Sequence, residues 1–234
     1  MSFLSDQHEQ DDHQWISISD LMSGLMVIFL FIAIFYIRPI LMNQEQIRSI
    51  LDAWEKSEIN IYKALNEEFS DDLKRWNAEL DPDDLTIRFK APDVLFAQAE
   101  STLQPLFQDI LDDFFPRYAR VLSHFEEAID EVRIEGHTSS EWAPGMTIDE
   151  AYIKNMELSQ ERTRAVLAYV LANSELDKYR NWIRSTVTAN GLSSSRPIRD
   201  TTSAMEDPDG SRRVEFRVRT KAKDRIVEVL ETLR

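Results

Sequence analysis

The sequence predicts an α+β protein in three stretches: a single membrane-spanning helix near the amino end, an amphipathic helical connector, and a β/α sandwich domain. Three observations carry this. No charged residue interrupts Leu21 to Ile37, an apolar run too long for an ordinary core helix. Ile47, Leu51, Trp54, Ile61, Leu65, Phe69, Leu73, Trp76 and Leu80 recur mostly every three or four residues, which marks one apolar helix face. Beyond Asp84, strand patterns such as Leu85, Ile87 and Phe89 alternate with helical ones, the layout of one sheet covered mainly on one face.

From Trp15 to Tyr36 a helix rising about 1.5 Å per residue covers roughly 33 Å, close to the ~30 Å hydrocarbon thickness of a bilayer, with an aromatic residue at each interface. Asp20 falls inside that span. An ionised carboxylate in lipid costs several kcal/mol, so an acid kept there faces another helix or a water path and tends to take up a proton. Its face continues through Ser17, Ser23, Gly24 and Val27, small residues that suit a closely packed partner helix. The competing reading makes Asp20 an N-cap at the membrane surface and shortens the span to Leu21–Ile37, about 25 Å. A basic n-region and a small-residue cleavage site are both missing, so the segment is expected to stay attached as an anchor.

The net charge is −15 over 234 residues, which argues against a nucleic-acid-binding role, since that needs a basic face. With no cysteine, disulfides and thiolate metal sites are excluded. Residues 1–14 are acidic and polar, and His8 and His13 there read as solvated rather than as metal ligands. No cofactor is expected. The basic residues between Ser211 and Arg225 fit a solvated strand face. Lys and Arg are lacking before the span and Arg38 and Arg48 follow it, so the charge count alone slightly favours the amino end outside.

A helical pattern resumes after Pro39, interrupted by Glu58, and its apolar stripe seeks either a second copy or its own domain. Asp81-Pro82-Asp83-Asp84 breaks it and marks a domain boundary. The order expected beyond is a strand at 85–89, a helix at 101–115 interrupted by Pro116 and resuming to Ala128, and a strand through Val132 and Ile134 into Gly136-His137-Thr138. A polar loop then runs to about Lys154, followed by helices at 157–172, with Leu158, Val166, Tyr169 and Val170 toward the core, and at 175–184, and a short strand at 186–189. An exposed loop covers 192–210, and Arg213 to Arg219 alternates strictly, with Val214, Phe216 and Val218 inward. A helix from about Ala222 closes the chain. No Ser/His/Asp or metal-ligand spacing surrounds His137, which reads as structural, and the chain as a non-enzyme.

Three strings together resemble the peptidoglycan-binding domain shared by outer-membrane protein A and the flagellar stator subunit MotB. They are Val94-Leu95-Phe96 with Ser101 and Leu103; Arg133-Ile134-Glu135-Gly136-His137-Thr138 with Asn155, Leu158-Ser159 and Arg162; and Gly210-Ser211-Arg212-Arg213-Val214-Glu215-Phe216. The resemblance covers about 84–221 and implies an OmpA-like domain there, preceded by a cytoplasmic tail (1–14), the transmembrane helix (15–38) and the connector (39–83), with a C-terminal helix at 222–234. The SDLMSGLMVIFLFIAIFYI string and acidic tail look more like the ZorB group of Zorya anti-phage systems than like flagellar subunits.

That resemblance implies a stator-like B subunit driven by protons, without cofactor. It further implies a homodimer inside a ring of multi-span MotA-like (ZorA-like) subunits, in the bacterial inner membrane with the amino end cytoplasmic and the domain periplasmic. Asp20 would carry the proton, and Ser139, Asn155, Leu158, Arg162 and Arg213 would bind the peptide stem of peptidoglycan. Arg162 offers a planar fork for a carboxylate and Asn155 both donates and accepts. One departure stands out: Ser139 occupies the place of the family's usual Asp, so the anionic contact is either missing or relocated, to Glu141 or Asp149. A passive tether between membrane and wall, or a flagellar-type stator subunit, is the alternative.

Overall fold

Residues 5–90, 95–97, 100–200 and 202–221 are described by a computed structural model. The described residues divide into two compact units, one before and one after about residue 52. Helix α1 (Ser5–Arg75) contributes to both and runs through Pro39 without a break. Within it Ser19–Met42 is long and apolar enough to cross a membrane.

In the second unit α1 stops at Arg75 because Asn77 takes a left-handed conformation (φ 50°), which its short polar side chain tolerates. A hairpin of β1 (Ala78–Asp81) and β2 (Thr86–Lys90) follows, antiparallel. The expected boundary at Asp81-Pro82-Asp83-Asp84 is thus a hairpin turn. The strand before it escapes notice because Ala-Glu-Leu-Asp is too short to alternate visibly. Helix α2 (Pro105–Ser123) continues through Pro116 instead of being interrupted, and stops at Ser123 rather than at Ala128. One lost hydrogen bond is offset by the buried Tyr118, Ala119, Val121 and Leu122 of its last turns. Then come β3 (Ile129–His137), α3 (Ile148–Ala172), a 3₁₀ turn (Ser174–Tyr179), α4 (Arg180–Thr186), β4 (Val187–Gly191), the short α5 (Pro208–Ser211) and β5 (Arg213–Thr220). The expected helix after Ala222 lies outside the described residues.

The strands form one mixed sheet in the order β1-β2-β5-β3-β4, antiparallel except for the β3–β4 pair. Ile87, Phe89, Val132, Ile134, Val214, Phe216 and Val218 point to the core side. Phe114 is the centre of an aromatic cluster, 5.2 Å from Phe69, 5.3 Å from Phe89 and 5.0 Å from Phe216 between ring centroids. Phe69 comes from α1. Ile61, Leu65, Phe69, Leu73 and Trp76 are all buried in this core, so from Ile61 onward the connector stripe packs on its own domain. The side chains of Leu51 and Trp54 lie outside the described residues. Arg117 of α2 pins the seam, with Nε 2.7 Å from Glu68 and Nη1 2.7 Å from Asp72. Glu58, which breaks the stripe, accepts a hydrogen bond from Thr220 at 2.9 Å.

The outer sheet face is not the solvated surface its charges suggested. Glu215 and Glu135 are each only 1% exposed. Glu215 takes Arg88 Nε at 2.6 Å, Arg213 Nε at 2.7 Å and Arg217 at 3.2 Å, while Glu135 faces Arg217 and Arg196 at 3.4 Å each. Long arginine side chains laid across the strands cover the acids and one another.

Candidate functional site

The ends of β3 and β4 are pressed against the middle of α3 at two glycines. A Cβ on Gly136 would come within 2.8 Å of the Ser159 carbonyl, and one on Gly191 within 2.3 Å of the Gln160 backbone nitrogen. Only glycine lets the helix backbone approach this closely. Contrary to the expected loop, α3 begins at Ile148, capped by Thr147, whose hydroxyl accepts from Glu150 N while the Glu150 carboxylate accepts from Thr147 N at 2.9 Å. Thr147 and Glu150 are the sequence signature that would have placed this start.

Asn155, Leu158 and Arg162 follow at helical spacing. Asn155 is 2% exposed and donates to the Glu141 carbonyl at 3.4 Å, tying down the loop after Thr138, while Leu158 is half-buried. Arg162 is 8% exposed; its Nε donates to the Glu100 carbonyl at 2.8 Å and its guanidinium lies 4.8 Å over the Phe96 ring. Among the described residues no carboxylate pairs with it. Burial, and then the neighbouring Arg212, push its pKa down to about 10. Arg212 approaches from the other side, with Nη1 3.4 Å from Ser139 Oγ and 3.9 Å from the Glu141 carboxylate, and Nη2 on Asp209. A buried guanidinium without an acid, with Arg212, a buried amide and a hydroxyl beside it, makes a site for an organic carboxylate.

Ser139, Asn155 and Arg162 therefore gather in one place, with Leu158 on the same helix. Arg213 does not join them. It lies on the outer sheet face, 7% exposed, bonded to Glu215 and to the carbonyls of Arg196 and Ser211. The arginine that reaches the loop is Arg212, which precedes the strand. Glu206 was also missed: its carboxylate accepts from Ser140 N at 2.9 Å and from the Ser140 hydroxyl. Asp149 sits exposed in the first turn of α3.

His137 is buried, its Nε2 3.5 Å from Glu215 and 3.8 Å from Glu135. These three carry the donor types of a metal site, but Arg88, Arg196, Arg213 and Arg217 already neutralise both carboxylates. Further positive charge there is disfavoured.

In the first unit, Asp20 lies well inside α1, which begins at Ser5, so it is not an N-cap. It and the apolar side chains from Leu21 to Ile37 are exposed, and Ser23 Oγ donates to the Ser19 carbonyl at 2.8 Å.

Residues 95–209 match the OmpA family. The Zorya protein ZorB of Escherichia coli strain Crooks is 47% identical over 223 residues, spanning 95% of this chain and 94% of that protein. The chain belongs to the ZorB family. Solved structures similar to this ZorB-family chain include a MotB-like protein from Desulfovibrio vulgaris (22% identity, 75% of this chain and 99% of that one, TM-score 0.49). Another is the cell wall anchor of the type VI secretion system from Pseudomonas aeruginosa (26%, 67% and 96%, TM-score 0.45). The ZorB family and the OmpA match agree with the α/β domain, mixed sheet and amino-terminal apolar helix described above.

Proposed function

We propose that this ZorB-family chain is the wall-anchored B subunit of a stator-like motor in anti-phage defence. In this reading it is a single-pass protein of the bacterial inner membrane with its domain periplasmic. It works as a homodimer within a ring of multi-span ZorA-like partners, and Asp20 carries the proton. The observation that carries the wall-binding half is Arg162, a buried guanidinium without an acid beside Arg212 and Asn155. The peptide stem of peptidoglycan supplies carboxylates of the kind such a site takes. The motor half rests on an acid in the helix interior at the edge of the Ser19–Met42 apolar segment. Protonation erases its charge and changes which partner surface the helix prefers, and each proton can thereby bias a step between two packings.

Two variants separate this from a passive tether. Arg162→Ala is expected to lose retention on isolated peptidoglycan sacculi in a sedimentation assay. Asp20→Asn is expected to keep retention but lose phage protection when expressed with the partner subunit. Full protection by Asp20→Asn would leave only the tether.

A further inference from the structure

Strand β5 brings the chain back to the connector. Its first residues pair with the end of β2, where Phe89 packs on Trp76 at the end of α1. Its last residue, Thr220, donates to Glu58 at 2.9 Å, about five turns earlier in α1. Within the domain β5 therefore runs antiparallel to α1, and Lys221 holds that course by donating its N–H to the Ala128 carbonyl at 2.9 Å. Residues 222–234, which lie outside the described set, start from beside Glu58. Ile61 and Glu58 share one face of α1, and helical spacing carries that face back through Trp54, Leu51 and Ile47. From Ile61 onward the sheet fills this face, with Ile61 and Leu65 fully buried. In 222–234, Ile226, Val229, Leu230 and Leu233 recur every three or four residues between charged ones, an apolar stripe of the same kind.

We propose that residues 222–234 form a helix that packs antiparallel on the connector face of the same chain, over Trp54, Leu51 and Ile47. Counting forward from Lys221 while counting back from Glu58 sets Ile226 level with Trp54, Val229 and Leu230 with Leu51, and Leu233 with Ile47. The lengths agree, since a helix over 222–234 measures about 20 Å and the turns from Glu58 back to Ile47 rise about 17 Å. So do the charges: in this register Arg225 falls beside Asp52 and Glu55, and Glu231 beside Arg48. A helix this short is marginal alone and needs such a surface. A second copy suits the face less well. A symmetric parallel seam sets each residue against its own counterpart and so opposes two Glu58 carboxylates, whereas within one chain Glu58 is already bonded to Thr220. The connector between Ile47 and Glu58 is then a two-helix strut closed within the chain.

The natural chain has no cysteine, so a pair introduced as Leu51→Cys with Leu230→Cys reports on one contact alone. In the full chain in detergent, mild oxidation is expected to join these two positions within one chain. The product runs as a monomer on a non-reducing gel and yields the 51–230 linked peptide by mass spectrometry. A pair that stays reduced overturns the proposal. Covalent dimers formed by Leu51→Cys alone, as fast as the pair forms its link, overturn it too and give the face to a second copy. Hydrogen exchange supplies a readout without cysteines. Leu230→Asp is expected to speed amide exchange over residues 47–54 by about tenfold, while peptides from β2, β3 and β5 exchange as in the wild type. Unchanged exchange over 47–54 would mean that 222–234 packs elsewhere, and the proposal fails.

Discussion

Taking a guanidinium out of water without an acid beside it costs free energy that the rest of the fold must recover. Arg162 stands in that position, with a pKa lowered to about 10 by burial and by Arg212. A base whose folded-state pKa falls below its unfolded value is a liability at neutral pH, relieved only as the pH climbs past about 10. Arg162→Met keeps the length and apolar stem of the side chain, and is expected to raise Tm by about 2–4 °C, or ~1 kcal/mol, while abolishing sacculus binding. Scanning calorimetry at pH 7 checks it; a lowered Tm would mean that the Phe96 stack and the Glu100 bond already compensate the charge. At this scale Asn155 and Arg162 were legible only through the family resemblance, since taken alone they read as a helix cap and an exposed arginine. Arg212 was not. Alternation along β5 marks Arg213 as outward, but nothing local says that the outer face is filled with acids, or that the residue just before the strand turns toward the loop.

Among the elements, the lattice joining β2, β3 and β5 makes the sheet sensitive to acid. Burial alone would raise the Glu215 carboxyl, but His137, Arg213 and Arg88 hold it well below the usual carboxylate range. At Glu135 burial acts the same way and is outweighed by His137, Arg217 and Arg196. Because both folded-state values are lowered, the stability they contribute is present above the ordinary value of 4.5 and is lost as the pH falls below it. The Tm is therefore expected to hold between pH 7 and 5 and to fall steeply below about 4.5. Glu215→Gln leaves Arg213 buried without its acid and takes from Arg88 one of its partners, Glu79 remaining at 2.6 Å, and should cost about 3–5 kcal/mol at pH 7 by urea unfolding while flattening the acid slope. Periodicity reveals β2, β3, β5 and α2 since each puts apolar residues on one side. It fails for β1, four residues long, and for the first turns of α3, where exposed Ile148, Tyr152 and Ile153 hide the helix among polar loop residues.

Over the whole molecule, the part of α1 within the second unit belongs to the domain as much as to the anchor. Ile61, Leu65, Phe69, Leu73 and Trp76 are each at most 8% exposed. Burying five such side chains stabilises by roughly 8–15 kcal/mol, about the entire net stability of an ordinary domain. A fragment of residues 84–225 loses them. It also loses β1, leaving β2 as a bare edge, and uncovers Phe89 and Phe114, which pack on Trp76 and Phe69. A fragment of residues 53–225 keeps the whole core. Circular dichroism and urea titration are expected to show a single cooperative transition for the longer fragment and none for the shorter. Equal cooperativity in both would mean that the helix rests on a finished domain. The composition of the stripe cannot distinguish these cases, because the same three-and-four spacing serves a seam with a second copy or a seam with one's own sheet. What decides is the partner surface, and here α2 supplies it through Phe114 on Phe69 and through Arg117, which bonds Glu68 and Asp72.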